Sequence, residues 1–150
     1  MLSLAASLPE YPVVIQMYGV GPVLGPQLMA EIGDVRRFRS KKSLVAFAGI
    51  DSPPNDSGQV QGNHRGISKI VSAPLRRTLF LVMSIILRNK PADEPVYQFM
   101  DKKRSEGKPY YVYMTAGMTK FLRVYYGKVR DCLKEKGLWE LPPSDQVTPG

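Results

Sequence analysis

Residues 111–136 read YVYMTAGMTKFLRVYYGKVRDCLKEK, and this stretch decides the fold class. Its apolar residues recur at intervals of three and four, which places them on one face of a helix. That face consists of Met114, Met118, Phe121, Leu122, Tyr125, Val129 and Cys132. A stretch of this length makes about seven helical turns. The pattern therefore predicts a long amphipathic helix whose apolar face is buried.

Shorter helices are predicted upstream. One helix face is formed by three residues at a spacing of four: Leu24, Leu28 and Ile32. Pro22 suits the first turn of this helix, and Gly33 suits its end. Ser40 is a suitable N-cap for the next helix. Further helices are expected over residues 41–48, 68–89 and 96–105.

The length of 150 residues fits one domain. We expect a flexible lead-in over residues 1–12, the folded domain over 13–137 and a flexible tail over 138–150. Residues 49–66 are rich in glycine, proline and short polar side chains, which predicts a long irregular loop, with a small β-hairpin at most. The expected fold is mainly α, with a helix-hairpin-helix-like N-terminal part and long C-terminal helices.

The charge balance points to an anionic partner. Lys and Arg number 21 against 13 Asp and Glu, which gives a net charge of +8. Such an excess is typical of proteins that bind phosphate groups. A membrane partner is not expected, because no apolar run approaches the roughly 18 residues of a membrane span. Cys132 is the single cysteine, so we expect no internal disulfide and a cytoplasmic location.

A glycine turn separates the two helical runs of the N-terminal part. Gly19 and Gly21 flank Val20, in the order typical of a helix-hairpin-helix motif. Glycines allow the backbone to approach a phosphate closely, and the N–H groups at the start of the second helix then face the anion. A plain turn between two helices explains the same glycines equally well.

Ser57 is the candidate nucleophile. It precedes Gly58 in the predicted loop, where it would be exposed. A serine that attacks a phosphodiester also needs a route for its proton and positive charge near the phosphate oxygens. The cations that follow it are Arg65, Lys69, Arg76 and Arg77. An ordinary Asp-Ser-Gly turn is the alternative, and His64 is either a general base or a solvated loop residue.

The tyrosines and the carboxylates are two further groups of residues with possible functional roles. Several tyrosines flank basic residues and are able to stack on exposed bases, although core packing is the alternative for Tyr125. The tyrosines beside basic residues are Tyr110, Tyr111, Tyr113, Tyr125 and Tyr126. The carboxylates are scattered and form no cluster with the spacing of a two-metal site. We therefore expect no metal bound by this part of the protein.

The order of these motifs resembles the 110/116/902 family of insertion-sequence transposases. The resemblance covers about residues 15–130. It rests on Gly19-Val20-Gly21-Pro22, Glu31-Ile32-Gly33-Asp34, Phe38, Leu44-Val45-Ala46-Phe47-Ala48-Gly49-Ile50, Ser57-Gly58, Gly66-Ile67-Ser68-Lys69, Leu75-Arg76-Arg77, and Gly107-Lys108 with Lys120-Phe121-Leu122. The chain departs from the family pattern at Lys69-Ile70-Val71-Ser72, where the family usually has Lys-Arg-Gly-Asn, and at Pro74.

The resemblance implies a function. Ser57 occupies the position of the family's nucleophilic serine, which cuts and rejoins DNA through a transient phosphoserine link. The family also carries an N-terminal RuvC-like domain with four acidic residues that bind Mg²⁺. Its members are thought to act as homo-oligomers guided by a structured bridge RNA. We therefore expect a serine-bearing, DNA-binding part of a transposase that is inactive in strand transfer without the metal-binding domain.

Two other classes of protein fit parts of the pattern. A non-catalytic helix-hairpin-helix module would bind nucleic acid through phosphates alone, with a steep salt dependence. A structural domain would self-associate through the long C-terminal helix and have no affinity for DNA. The first class explains the glycine turn, and the second explains the C-terminal helix.

Overall fold

The computed structural model describes residues 2–50 and 72–140, with side chains from Leu4 onward. Helices are the only regular secondary structure in these residues, which confirms the mainly α prediction. None of the described helices is long and apolar enough to cross a bilayer. The α-helices are α1 (Leu2–Ala6), α2 (Tyr11–Ile15), α3 (Gly21–Ile32), α4 (Lys41–Ala48), α5 (Ala73–Asn89), α6 (Pro95–Ser105) and α7 (Tyr110–Glu135), with a 3₁₀ turn at Val35–Arg37.

The predicted helix boundaries are confirmed at α3 and α4. Pro22 lies in the first turn of α3, and Gly33 ends that helix with a φ of 75°. Ser40 caps α4, because its hydroxyl accepts a hydrogen bond from the Ser43 N–H at 3.3 Å. Gly49 then ends α4 in the left-handed region. A side-chain cap at the start and a positive φ at the end are the usual means of stopping a helix.

Helix α7 provides the largest part of the core. Its predicted apolar face is confirmed, since every residue of that face is buried except Cys132, which is half-buried. The helix packs against α6, α4, α5 and α2. The largest fully buried side chains of α7 are Met114, Phe121, Leu122 and Tyr125. The hydroxyl of Tyr126 also donates a buried hydrogen bond to the Phe38 carbonyl at 3.2 Å.

Gly117 allows α7 to approach its neighbours closely. A Cβ atom at this position would lie 2.6 Å from Met100 Cγ on α6 and 3.0 Å from Met83 Sδ on α5. Real Cβ atoms do not come this close to other heavy atoms, because interiors are packed to crystal density. The missing side chain therefore sets the separation at which α5, α6 and α7 meet.

The first twelve residues, expected to be a flexible lead-in, contain α1 and the first two residues of α2. Ala5 of α1 and Val14 of α2 are buried. Helix α1 packs against α3, and α2 packs against both α3 and α7. The N-terminal segment therefore adds to the core.

The described start of the expected tail also contacts the domain. Arg36 donates a hydrogen bond to the Leu138 carbonyl at 3.1 Å, and its guanidinium is oriented by the Asp34 carboxylate. The Trp139 ring meets the Tyr126 ring edge-on, with 6.0 Å between their centroids. The predicted loop and its β-hairpin, in contrast, fall almost entirely on residues 51–71, outside the described residues.

Candidate nucleic-acid interface

Arg76 and Arg77 lie in the first two turns of α5, and both are exposed. The start of this helix is held in place twice. The Ser72 hydroxyl accepts from the Leu75 N–H at 3.1 Å, and the Ser72 N–H donates to the Phe47 carbonyl at 2.7 Å. Neither arginine forms an ion pair with a carboxylate among the described residues. Two positive charges are therefore presented to solvent from a fixed helix start.

Three exposed aromatic rings surround these arginines. Phe80 of α5 is 42% exposed, and Tyr110 and Tyr111 at the start of α7 are 52% and 47% exposed. The rings of Phe80 and Tyr110 meet edge-on, with 6.3 Å between their centroids. Clustered exposed apolar side chains usually mark a binding surface. We call these five residues, Arg76, Arg77, Phe80, Tyr110 and Tyr111, the arginine–aromatic surface.

Two cavities open on this surface, one on each side of Arg77 and Phe80. The first, with a volume of about 340 Å³, lies between α5 and α7, and we call it the apolar cavity. Apart from the arginine–aromatic surface, its lining consists of Ile50, Ala73, Met114, Thr115 and Met118. Ile50 and Ala73 lie close to the two ends of the segment 51–71. Two described residues that flank the segment with Ser57, one on each side, therefore line this cavity.

The second cavity has a volume of about 350 Å³ and lies between α3 and α5. We call it the polar cavity, because Gln27, Glu31 and Thr78 contribute to its lining. The Gln27 amide donates to Thr78 Oγ1 at 2.9 Å and to Glu31 Oε2 at 3.4 Å. Among the described residues, the other oxygen of Glu31, Oε1, is buried without a hydrogen-bond partner. The polar cavity therefore contains a hydrogen-bond acceptor that these residues leave unused.

The two glycines of the N-terminal turn have different surroundings. Gly19 has a φ of 84° and packs against α5, where a Cβ atom would lie 3.3 Å from the Val82 carbonyl oxygen and 3.1 Å from Ile86 Cγ1. Gly21, with a φ of 65°, begins α3 and faces open space. Gly19 therefore serves the packing of the turn onto α5, whereas Gly21 leaves the start of α3 accessible.

The structure does not bring all of the predicted site residues together. Gln27 contacts Thr78 near the start of α5, whereas Gly19 contacts Ile86 near its end, so α3 and α5 run antiparallel. Gly21 consequently lies at the end of the pair opposite to Arg76 and Arg77. The remaining predicted residues, Ser57, Arg65 and Lys69, lie outside the described residues, as does His64.

Phe80 and Glu31 were not predicted as site residues. Phe80 lies in the apolar run of α5, but the core face of that helix consists of Leu75, Leu79, Val82, Met83 and Ile86. Phe80 follows Arg76 by four residues and Arg77 by three, which places it on the arginine face. This spacing was a usable signal. Glu31 had none, because its position depends on how α3 packs against α5.

Comparison with known proteins identifies the family. The sequence model of the Transposase IS116/IS110/IS902 family matches residues 11–98. The chain is 30% identical, over 79% of its length, to the insertion element IS900 uncharacterized 42 kDa protein of Mycobacterium paratuberculosis, and covers 29% of it. It is also 30% identical, over 63% of its length, to the insertion element IS116 uncharacterized 44.8 kDa protein of Streptomyces clavuligerus, and covers 23% of it. The chain thus spans less than a third of each relative.

No solved structure matches the chain. The family match nevertheless extends over more than half of the residues and includes the glycine turn, α3 to α5 and the segment with Ser57. Most of the motifs on which the resemblance rests lie within this range, whereas Gly107-Lys108 and Lys120-Phe121-Leu122 lie beyond it. The chain belongs to the IS116/IS110/IS902 family of transposases.

Proposed function

We propose that this chain is the DNA-binding, serine-bearing part of an insertion-sequence transposase, and that the full-length protein cleaves and rejoins DNA through Ser57. One observation carries the proposal. The arginine–aromatic surface adjoins Ile50 and Ala73, close to the two ends of the segment that contains Ser57. A DNA strand on this surface is thereby close to where that segment leaves and re-enters the domain.

The surface has the composition that binding of a DNA strand requires. Arg76 and Arg77 supply charge for two backbone phosphates, and guanidinium groups suit phosphate geometry. The exposed rings of Phe80, Tyr110 and Tyr111 supply faces on which bases stack. Each stacked base contributes about 1–3 kcal/mol to binding, with little dependence on its identity. The surface therefore favours an unpaired or locally opened strand.

The chemistry proposed for Ser57 is a phosphoryl transfer in two steps. In the first step, the bond between Ser57 Oγ and phosphorus forms, and the bond between phosphorus and one deoxyribose oxygen breaks. The serine hydroxyl loses its proton, and the departing deoxyribose oxygen gains one. In the second step, the hydroxyl of another strand end attacks the phosphoserine, which frees Ser57 and rejoins the DNA. Nearby cations stabilise the charge on the phosphate oxygens in both steps.

The full-length protein is proposed to need further components. The part of the chain that the structure describes has no group of three or more His, Cys, Asp or Glu side chains able to hold a metal ion. It therefore does not fit Mg²⁺, which we assign to an acidic domain of the full-length protein. A structured guide RNA, a homo-oligomeric state and the cytoplasmic location belong to the same proposal, and they rest on family membership.

A non-catalytic helix-hairpin-helix module is the second candidate. The open space at Gly21 favours it, because no other side chain fills the space beside this residue at the start of α3, and helix starts bind phosphate groups. Such a module predicts DNA binding but no covalent link between protein and DNA. The two candidates therefore differ in one measurable product.

The test is a Ser57→Ala change in the full-length transposase, with Ser52→Ala as the matched control in the same segment. We expect Ser57→Ala to abolish excision and the covalent protein–DNA adduct seen on denaturing gels, and to leave DNA affinity unchanged. The control should retain excision and adduct. Normal excision by Ser57→Ala would remove Ser57 from the role of nucleophile and favour the second candidate.

A further inference from the structure

We propose that Phe80 separates two neighbouring unpaired bases of a DNA strand, one in the polar cavity and one in the apolar cavity. This inference rests on the proposed DNA-binding role of the arginine–aromatic surface and extends it to a base preference. Arg77 and Phe80 line both cavities. These two side chains therefore form the wall between the cavities. Apolar side chains that insert between successive bases are a known means of holding a strand unstacked.

The size and lining of the cavities suit a base each. Their volumes of about 340 and 350 Å³ lie at the lower end of the range for small-molecule sites, about 300–1,000 Å³. The Phe80 side chain is 42% exposed and lines both cavities, so an aromatic base in either cavity would contact it. Arg77 lies on the same wall, from which its charge can pair with the phosphate that joins the two bases.

The two cavities differ in their ability to distinguish bases. The apolar cavity presents methionine, aromatic and isoleucine side chains, together with Thr115 and the two arginines that we assign to backbone phosphates. The Thr115 hydroxyl is already bonded to the Tyr111 carbonyl of its own helix at 2.9 Å. A base there is held by stacking and apolar contact, which tolerate any base. In the polar cavity, the carboxylate of Glu31 accepts hydrogen bonds and donates none.

The preference in the polar cavity follows from this acceptor. Adenine, cytosine and guanine each carry an exocyclic amino group that donates hydrogen bonds, whereas thymine has none and offers its ring N–H as its one donor. Glu31 Oε1 has no hydrogen-bond partner among the described residues, and an amino group would supply one. The polar cavity should therefore favour adenine, cytosine or guanine over thymine, while the neighbouring position accepts all bases.

The first experiment measures this preference by fluorescence anisotropy. The probes are an oligonucleotide of thymidines and the same oligonucleotide with one central cytidine. We expect the wild-type chain to bind the cytidine probe about tenfold more tightly, within the range given by one good base contact. Glu31→Gln should remove most of this difference, because an amide both donates and accepts. Equal binding of the two probes by the wild-type chain would overturn the assignment of the polar cavity.

The second experiment fills the apolar cavity. Thr115→Leu adds volume to its lining, and Thr119→Leu is the matched control one turn further along α7, outside the lining. We expect Thr115→Leu to weaken binding of both probes by about tenfold, the loss of roughly one stacked base, while the preference for cytidine remains. Equal affinities of the Thr115→Leu and Thr119→Leu variants would overturn the assignment of the apolar cavity.

A third comparison separates this inference from the proposed function beneath it. The double change of Arg76 and Arg77 to Gln is compared with Arg88→Gln in the last turn of the same helix. Suppose that the double variant loses more affinity than Arg88→Gln while the wild-type chain binds both probes equally. That result would leave the DNA-binding surface in place and overturn the two-base arrangement. Equal affinities of the two variants would overturn the surface itself.

Discussion

The contrast between Gly117 and Gly127 provides the sharpest test of how α7 packs. Both glycines lie inside the same helix, so alanine improves the helical preference of each by about 0.5–1 kcal/mol. At Gly127 the added methyl meets no atom within 4 Å, whereas at Gly117 it would lie 2.6 Å from Met100 Cγ. Overpacking of this kind costs about 1–3 kcal/mol, and the flexible Met100 side chain relieves part of it. We expect Gly127→Ala to be more stable than Gly117→Ala by about 2 kcal/mol.

Urea unfolding followed by circular dichroism measures this difference. With a slope of about 2 kcal/mol per molar urea, the two midpoints should lie about 1 M apart, with that of Gly127→Ala above the wild type. The helical preference cancels between the two variants, so the difference reports overpacking alone. Equal midpoints would mean that α7 does not approach Met100 and Met83 as closely as described, and the packing account would be wrong.

Three further predictions concern the core, a surface ion pair and the arginines. Tyr126→Phe should lower the free energy of unfolding by about 1–3 kcal/mol in the same urea assay, because the buried Phe38 carbonyl loses its donor; an unchanged value would mean that the bond does not form. The hydrogen bonds from Arg36 lower the pKa of Asp34. The ion pair should therefore stabilise the fold fully at pH values above the ordinary carboxyl pKa, and this stabilisation should disappear as the pH falls through the lowered pKa. NMR titration should show the pKa of Asp34 rising towards normal in Arg36→Gln, and no rise would contradict that cause. Replacing both arginines of the arginine–aromatic surface with glutamine should make affinity for single-stranded DNA less dependent on salt. The slope of log affinity against log salt should fall by about 1.4, because each phosphate contact contributes about 0.7. A slope equal to that of Arg88→Gln would contradict phosphate binding at this surface.

Much of the helical framework follows from local sequence signals. The Ser40 cap and the Gly33 stop are set by neighbouring residues along the chain, and both predictions are confirmed. The buried face of α7 was equally predictable, because one periodic pattern runs through the whole helix. In each case, the information needed to form the element lies within a few helical turns of it.

The candidate site was only partly predictable. Arg76 and Arg77 were predicted from their charge, and stacking was considered for Tyr110 and Tyr111. The two cavities, in contrast, depend on the register of α3 and α7 against α5, which brings residues such as Gln27 and Thr78 together from 51 positions apart. Contacts over such distances are set by how whole helices pack, and no local pattern encodes them. The structural role of Gly19 became apparent for the same reason only in the folded chain.

The hydrogen bond from the Ser72 N–H to the Phe47 carbonyl has a consequence for the evolution of the family. It joins the end of α4 to the start of α5, so a backbone hydrogen bond holds these two helix ends together. Lengthening a connection whose ends are already held costs little, about 0.6 kcal/mol for each doubling of its length. Relatives are therefore expected to differ in length more readily between α4 and α5 than within these helices.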